Sequence, residues 1–242
     1  MKKVAICLRG AVSKECGSFD CPKDLYKDSP YVDYVKCKNS IIRYIVNANP
    51  NYEFDFFCHG WSYDLEDEIK KIYNPKIILF ENNNDYIEEM LSKCQYERFS
   101  QLSQALSIKK SIELKEYYEY QNNDKYDIVI SYRYDVLLWK PLILDKYNLT
   151  DDNIYVNAHG DSNGDFHFIM NNYVSNTFKN LYNSTDYGIV VSVHQWIKEY
   201  VTQHMRKNLI MDDIVPGVDQ EAIRKINTIH PIYIEYIKSC EI

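Results

Sequence analysis

Short apolar runs recur along the chain at intervals that suit strands joined by helices. Val4-Ala5-Ile6-Cys7-Leu8, Phe54-Asp55-Phe56-Phe57-Cys58, Pro75-Lys76-Ile77-Ile78-Leu79-Phe80 and Ile128-Val129-Ile130 are brief and rich in β-branched or aromatic residues, the pattern of buried strands. Between them the period lengthens. Residues 40–48 carry Ile41, Ile42 and Ile45 on one helical side and stop at Asn49-Pro50, residues 64–72 read as a short acidic helix, and residues 100–119 place Leu102, Ala105, Leu106, Ile108, Ile112, Leu114 and Tyr117 at mainly helical spacing. The resulting β-α-β-α-β order predicts an α/β fold with a mostly parallel sheet, right-handed crossovers and flanking helices. After an extended piece at 136–142 the pattern changes. Residues 154–156 and 166–170 read as short strands around a polar loop, His159 to Asp165; residues 174–181 and 193–207 read as helices, and 228–234 as a last strand carrying His230.

Chain length sets the domain count: 242 residues with 45% hydrophobic content suit one domain. Two halves are expected within it, 1–142 and 143–242. No apolar run is long enough to span a bilayer. Met1 to Leu8, two lysines and a strand followed at once by Arg9, reads as neither a signal peptide nor an anchor, so the expectation is a soluble, cytoplasmic protein. Seven cysteines without a CxxC pair argue for reduced thiols rather than a disulfide framework or a zinc site. A net charge of −7 argues against a nucleic-acid partner, which would need a basic stripe. An acidic protein can still hold an anionic nucleotide through a divalent cation.

Candidate chemistry collects where strands end. Arg9-Gly10 follows the first strand, His59-Gly60-Trp61 the second, and Arg133-Tyr134-Asp135 the run from Ile128. In open α/β sheets ligands bind outside the carboxyl ends of the strands, and parallel strands would bring these residues to one edge. The competing reading is a structural salt bridge where charged residues leave the core. His159 to Asp165 is either an ordinary turn or a loop that presents Asp165 as a general base, with Asp161 and His167 as weaker candidates. His194 and His204 read as packing or surface residues. His230 is a core histidine or a ligand beside Asp135. Asp219-Gln220-Glu221, after Pro216-Gly217, reads as the opening of a helix, where acidic residues meet the positive dipole end. No GxGxxG, P-loop, GxSxG or HExxH sequence is present, so hydride transfer, P-loop phosphoryl transfer and serine hydrolysis lose their usual support.

The order of Val4 to Gly10, Phe54 to Ser62, Tyr126 to Asp135 and Gly164-Asp165-Phe166-His167-Phe168 resembles small GT-A-type glycosyltransferases of large DNA viruses and of bacterial lipopolysaccharide or capsule clusters. The resemblance extends to about Met170. It implies a soluble enzyme, cytoplasmic or in the host cytoplasm if viral, that moves a hexosyl or deoxyhexosyl group from a UDP- or GDP-linked sugar to a glycan or other hydroxyl acceptor. Asp135 looks like the last carboxylate of a DxD motif holding Mn²⁺ or Mg²⁺, with Arg133 where that motif begins and His230 in the place of a late histidine near the metal. Arg9, Gly10, His59, Trp61 and Arg133 would line the donor. Asp165 would be the acceptor-side base, with Asp219 or Glu221 behind it. Because Arg133 departs from the motif, a non-catalytic nucleotide-sugar or glycan-binding module is the first alternative. A Rossmann-like methyltransferase is the second.

Overall fold

The structure, a computed structural model, describes residues 1–10, 12, 34–61, 63–93, 99–160, 162–184 and 192–222. Of the 11–30 loop only Val12 lies within them, and Asp161, His230 and the strand expected at 228–234 lie outside. Strand β1 (Lys2–Arg9) shows how the core is built. Val4, Ile6 and Leu8 enter one apolar layer and Ala5 and Cys7 the other, as the two-residue period of a strand requires. The next elements follow the expected order: α1 (Tyr34–Ile41), β2 (Tyr52–Gly60), α2 (Glu66–Tyr73), β3 (Ile77–Phe80), α3 (Ile87–Lys93), α4 (Phe99–Asn122), β4 (Ile128–Arg133) and β5 (Val136–Leu138). Helix α1 starts six residues before the expected position and continues through one wide turn, Ile42–Val46. Asn49 fixes its end, donating to the Ile45 and Leu142 carbonyls at 2.7 Å each.

The remaining elements are β6 (Asn153–His159), β7 (Ser162–Asn171), α5 (Asn172–Phe178), α6 (Val193–Glu199), β8 (Asn208–Met211) and β9 (Gln220–Ala222). Two expectations fail here. His159 to Asp165 is not an extended loop: β6 and β7 form a hairpin that pairs as far as His159 with Ser162, and Asp165 lies within a strand. Asp219-Gln220-Glu221 does not open a helix. Asp219 accepts from the Val215 backbone N–H at 3.0 Å, which closes a turn, and the chain enters β9 against β5.

Among the described residues seven strands form one sheet in the order β3-β2-β1-β4-β7-β6-β8. The pairs β1–β2, β2–β3, β1–β4 and β6–β8 are parallel, and β7 is antiparallel to both β4 and β6. The sheet is therefore mixed but mostly parallel. From β1 the chain steps outward to β2 and β3, then returns through α4 to the other side of β1 as β4. The direction of winding thus reverses between β1 and β4, the place where open α/β sheets leave a crevice. Helices cover both faces: α4, α5 and α6 residues pack with Ala5, Cys7, Phe57 and Val129, and α1 and α2 residues with Val4, Ile6, Cys58 and Ile130.

A bulge positions β7. The β6–β7 register shifts at Asn157, whose Oδ1 accepts from the Phe166 N–H at 2.9 Å. A Cβ on Gly164 would stand 2.0 Å from the Asn157 amide nitrogen, so only glycine admits the amide there. Gly164→Ala is expected to cost about 1–3 kcal/mol through overpacking, read as a lower midpoint in denaturant unfolding. An unchanged midpoint would mean that the Asn157 side chain can leave its place freely.

Candidate functional site at the carboxyl edge of the sheet

Strand phase decides which strand-end residues meet. Ala5 and Cys7 face α4, so Arg9 does too; Phe57 places His59 on that face, and Val129 places Ser131 and Arg133 there. Arg9 and Arg133 are register partners on adjacent parallel strands, at the reversal of winding. Neighbouring strands lie about 4.8 Å apart, so two guanidinium groups on one face need compensating acceptors. They find them on β7 and in the turn after β4. Arg133 forms a bidentate pair with Asp135, Nε donating to Oδ1 at 2.9 Å and Nη2 to Oδ2 at 2.8 Å, while its Nη1 donates to Asp165 Oδ2 at 3.0 Å. Arg9 donates from Nε to Ser131 Oγ at 3.0 Å and from Nη2 to the Asp165 carbonyl at 2.5 Å. Each guanidinium also lies over a ring, Arg9 over Phe168 and Arg133 over Phe166. All four charged side chains are buried, Arg9 at 1% and Asp135 at 2% exposure.

The electrostatics follow from this pairing. Burial by itself opposes ionisation of Asp165, but Arg133, then Arg9 and Gln104, more than offset it and hold the carboxyl below the usual range. Burial likewise disfavours the charged Arg133, and Asp135 and Asp165 reverse that, so its proton is held more firmly than usual.

Helix α4 supplies contacts that the sequence reading did not single out. Gln104 donates to Asp165 Oδ2 at 2.7 Å. Ser107 Oγ accepts from the Gly10 N–H at 2.9 Å and lies 2.8 Å from His59 Nδ1. Lys110 reaches Glu81, the residue after β3, at 2.7 Å. Burial pushes the His59 imidazole down despite Glu81, so the ring is neutral. Its Nε2 then donates to Glu81 Oε2 at 3.1 Å, and Nδ1 accepts from the Ser107 hydroxyl. Trp61 stands edge-on to His59 with ring centroids 4.6 Å apart, and beside Tyr86. Burial raises the Glu81 carboxyl, and the hydrogen bonds from His59, Lys110 and Tyr86 overcome it, holding it at about 2. Gly10, with φ +104, turns the chain off β1 in a conformation that side chains disfavour.

Of the residues singled out in the sequence, Arg9, Gly10, His59, Trp61, Arg133, Asp135 and Asp165 gather at this edge. Asp219 does not. It pairs with Lys140 and lies beyond Gln220, the partner of Leu138, roughly 13 Å along β5 from Asp135 at about 3.3 Å per residue. The backbone of Glu221 pairs with Leu137. His167 is buried within β7 and bonded to Asp212 at 2.6 Å, and His194 stacks on His159. A groove of about 420 Å³ lined by Lys2, Tyr52, Asp127, Asp145 and Tyr147 lies at the opposite ends of the strands.

A divalent ion would depend on Asp135 here, and both Asp135 oxygens already accept from Arg133. Among the described residues no group of three or more His, Cys, Asp or Glu side chains could hold a metal. As the side chains stand, a divalent ion at Asp135 would have to displace the Arg133 guanidinium, and His230, the other residue expected beside an ion, lies outside the described residues.

Two outcomes follow from the pairing. Arg133→Met leaves two buried carboxylates without their cation and is expected to cost about 3–5 kcal/mol in denaturant unfolding, part of it recovered by adding Asp135→Asn; additive losses would remove the coupling. Glu81 is a depressed carboxylate, so its contribution is present above the ordinary value of 4.5 and is lost as pH falls toward about 2. Glu81→Gln should accordingly flatten the stability–pH curve in that window, and an unchanged slope would contradict the pairing. In comparison with known proteins, no family model matches the chain and no curated protein matches it in sequence.

Proposed function

We propose that the chain is a glycosyltransferase that uses a nucleoside-diphosphate-sugar donor, UDP- or GDP-linked, and transfers the sugar to a glycan or other hydroxyl acceptor. The observation that carries the reading is the pair Arg9 and Arg133, register partners at the reversal of winding, where α/β sheets bind nucleotides. When the bond between the anomeric carbon and the diphosphate breaks, negative charge grows on the leaving diphosphate. Fixed guanidinium groups in a buried site stabilise that charge without reorganising, and an arginine fork matches phosphate oxygens bidentately. Trp61, packed on His59 and half-buried, offers an apolar face beside them.

Asp165 is the acceptor-side carboxylate of this reading. Its low pKa makes it a weak base, so its main contribution is to orient the acceptor hydroxyl and accept its proton late, as the guanidinium turns toward the diphosphate. The same pairing of Asp135 and Asp165 with Arg133 favours, as a second reading, a module of this fold that binds nucleotide-sugars without turning them over.

Thermal denaturation with a panel of nucleoside diphosphates and nucleotide-sugars tests the ligand class. Stabilisation by UDP or GDP derivatives, weakened at least tenfold in affinity (about 1.4 kcal/mol) by Arg9→Lys, supports the reading; stabilisation by S-adenosylmethionine alone would replace it. Release of free nucleoside diphosphate separates enzyme from module. In an active protein Asp165→Asn should lower kcat more than it weakens donor binding, and loss of affinity alone would move Asp165 to the donor side.

A further inference from the structure

Arg133 occupies an unusual position among charges. Three of its five N–H groups point at carboxylate oxygens from two different segments, the turn after β4 and strand β7: two at Asp135, at 2.9 and 2.8 Å, and one at Asp165, at 3.0 Å. A divalent cation held between the same two carboxylates, at roughly 2.0–2.1 Å from their oxygens, would occupy the space that the guanidinium fills. Guanidinium and ion therefore exclude one another unless Arg133 leaves. The charge count of the ligand-free site points the same way. Arg9 and Arg133 contribute two positive charges and Asp135 and Asp165 two negative ones, so the buried cluster is neutral as built, and a divalent ion added without an anionic ligand would leave an uncompensated double charge in a site of low exposure. Gln104 holds the shared Asp165 oxygen from the helix side at 2.7 Å, and the Phe166 ring lies under the guanidinium. Both contacts restrain Arg133 in this position.

We infer that the Arg133 guanidinium fills the place of a carboxylate-bridging cation, so that the strand edge is a fixed-cation site and takes a diphosphate-bearing ligand without a divalent ion. The ligand half of this statement rests on the proposed function; the fixed-cation half does not. In such a site the ligand's phosphate oxygens compete with Asp135 for one edge of the fork. Asp135 is then a carboxylate that yields its partner on binding, rather than a metal ligand.

Thermal denaturation of the full chain, with Mn²⁺ titrated into the millimolar range and separately with a chelator, tests both halves. The expected result for the wild type is no saturable shift with Mn²⁺ and no loss with chelator. Arg133→Ala leaves Asp135 and Asp165 facing each other and should acquire a saturable Mn²⁺ stabilisation, abolished by adding Asp135→Asn. Where Arg133→Ala does not fold, Mn²⁺ titration calorimetry on the wild type decides alone. Saturable wild-type stabilisation that Asp135→Asn removes overturns the inference. UDP and GDP in chelator then address the ligand. A shift in chelator that Arg133→Lys reduces at least tenfold in affinity supports it, and a shift seen only with Mn²⁺ overturns it while leaving the donor reading intact. Absence of any nucleotide shift, with or without Mn²⁺, removes the donor reading, and the Mn²⁺ response of Arg133→Ala still decides the fixed-cation half.

Discussion

The edge of the sheet depends on one guanidinium shared by two carboxylates. A buried carboxylate with no partner costs several kcal/mol, and so does a buried arginine; Arg133, Asp135 and Asp165 are tolerated at 9, 2 and 7% exposure because the guanidinium pairs with both carboxylates. That requirement reaches back into the fold. Asp165 arrives at Arg133 because β7 runs antiparallel to β4 with Tyr132 opposite His167. The hairpin holds that register through the Asn157 bulge and the absence of a side chain at Gly164. Asp135 arrives because the chain turns immediately after β4 and leaves as β5. The topology thus delivers one carboxylate from a neighbouring strand and one from the turn that follows β4 to a single cation.

A second network on the same face has the opposite character. Around His59 the groups form a directed chain, from the Gly10 N–H through Ser107 to a neutral imidazole and on to Glu81, closed by Lys110 and Tyr86. It fixes the backbone where β1 ends and packs Trp61 on the imidazole, and its two charges, Glu81 and Lys110, are paired with each other. The two networks meet at the ends of β1, where Arg9 belongs to one and Gly10 to the other.

Much of this was legible in the sequence because strand alternation is a strict rule. Once Cys7, Phe57 and Val129 are taken as buried, the phase of Arg9, His59 and Arg133 follows. Glu81, next after Phe80, obeys the same strand-end rule and could have been found by it. Gln104, Ser107 and Lys110 were harder, because polar residues interleaved with Leu102, Ala105, Leu106 and Ile108 look alike whether they face water or other buried polar groups. Their spacing of three within a stripe otherwise read as core was the available signal. The polar content of residues 159–165 suggested a loop because turn residues are counted without regard to pairing. Here Asn163 and Gly164 lie in a strand whose irregularity Asn157 accommodates. An acidic residue after Pro-Gly suits a turn into a strand as well as a helix start, and the Val215 N–H that Asp219 accepts decides for the turn.

Gln104, Ser107 and Lys110 of α4 address β7, the ends of β1 and β2, and the end of β3. Three residues turn a helix by about 300°, so the three stay on one side of it, toward the strand ends. One inserted or deleted residue between Gln104 and Lys110 would turn everything after it by about 100° and disengage the contacts beyond. The spacing of these three residues within α4 is thus fixed by the strand ends they hold, independently of how well the helix packs.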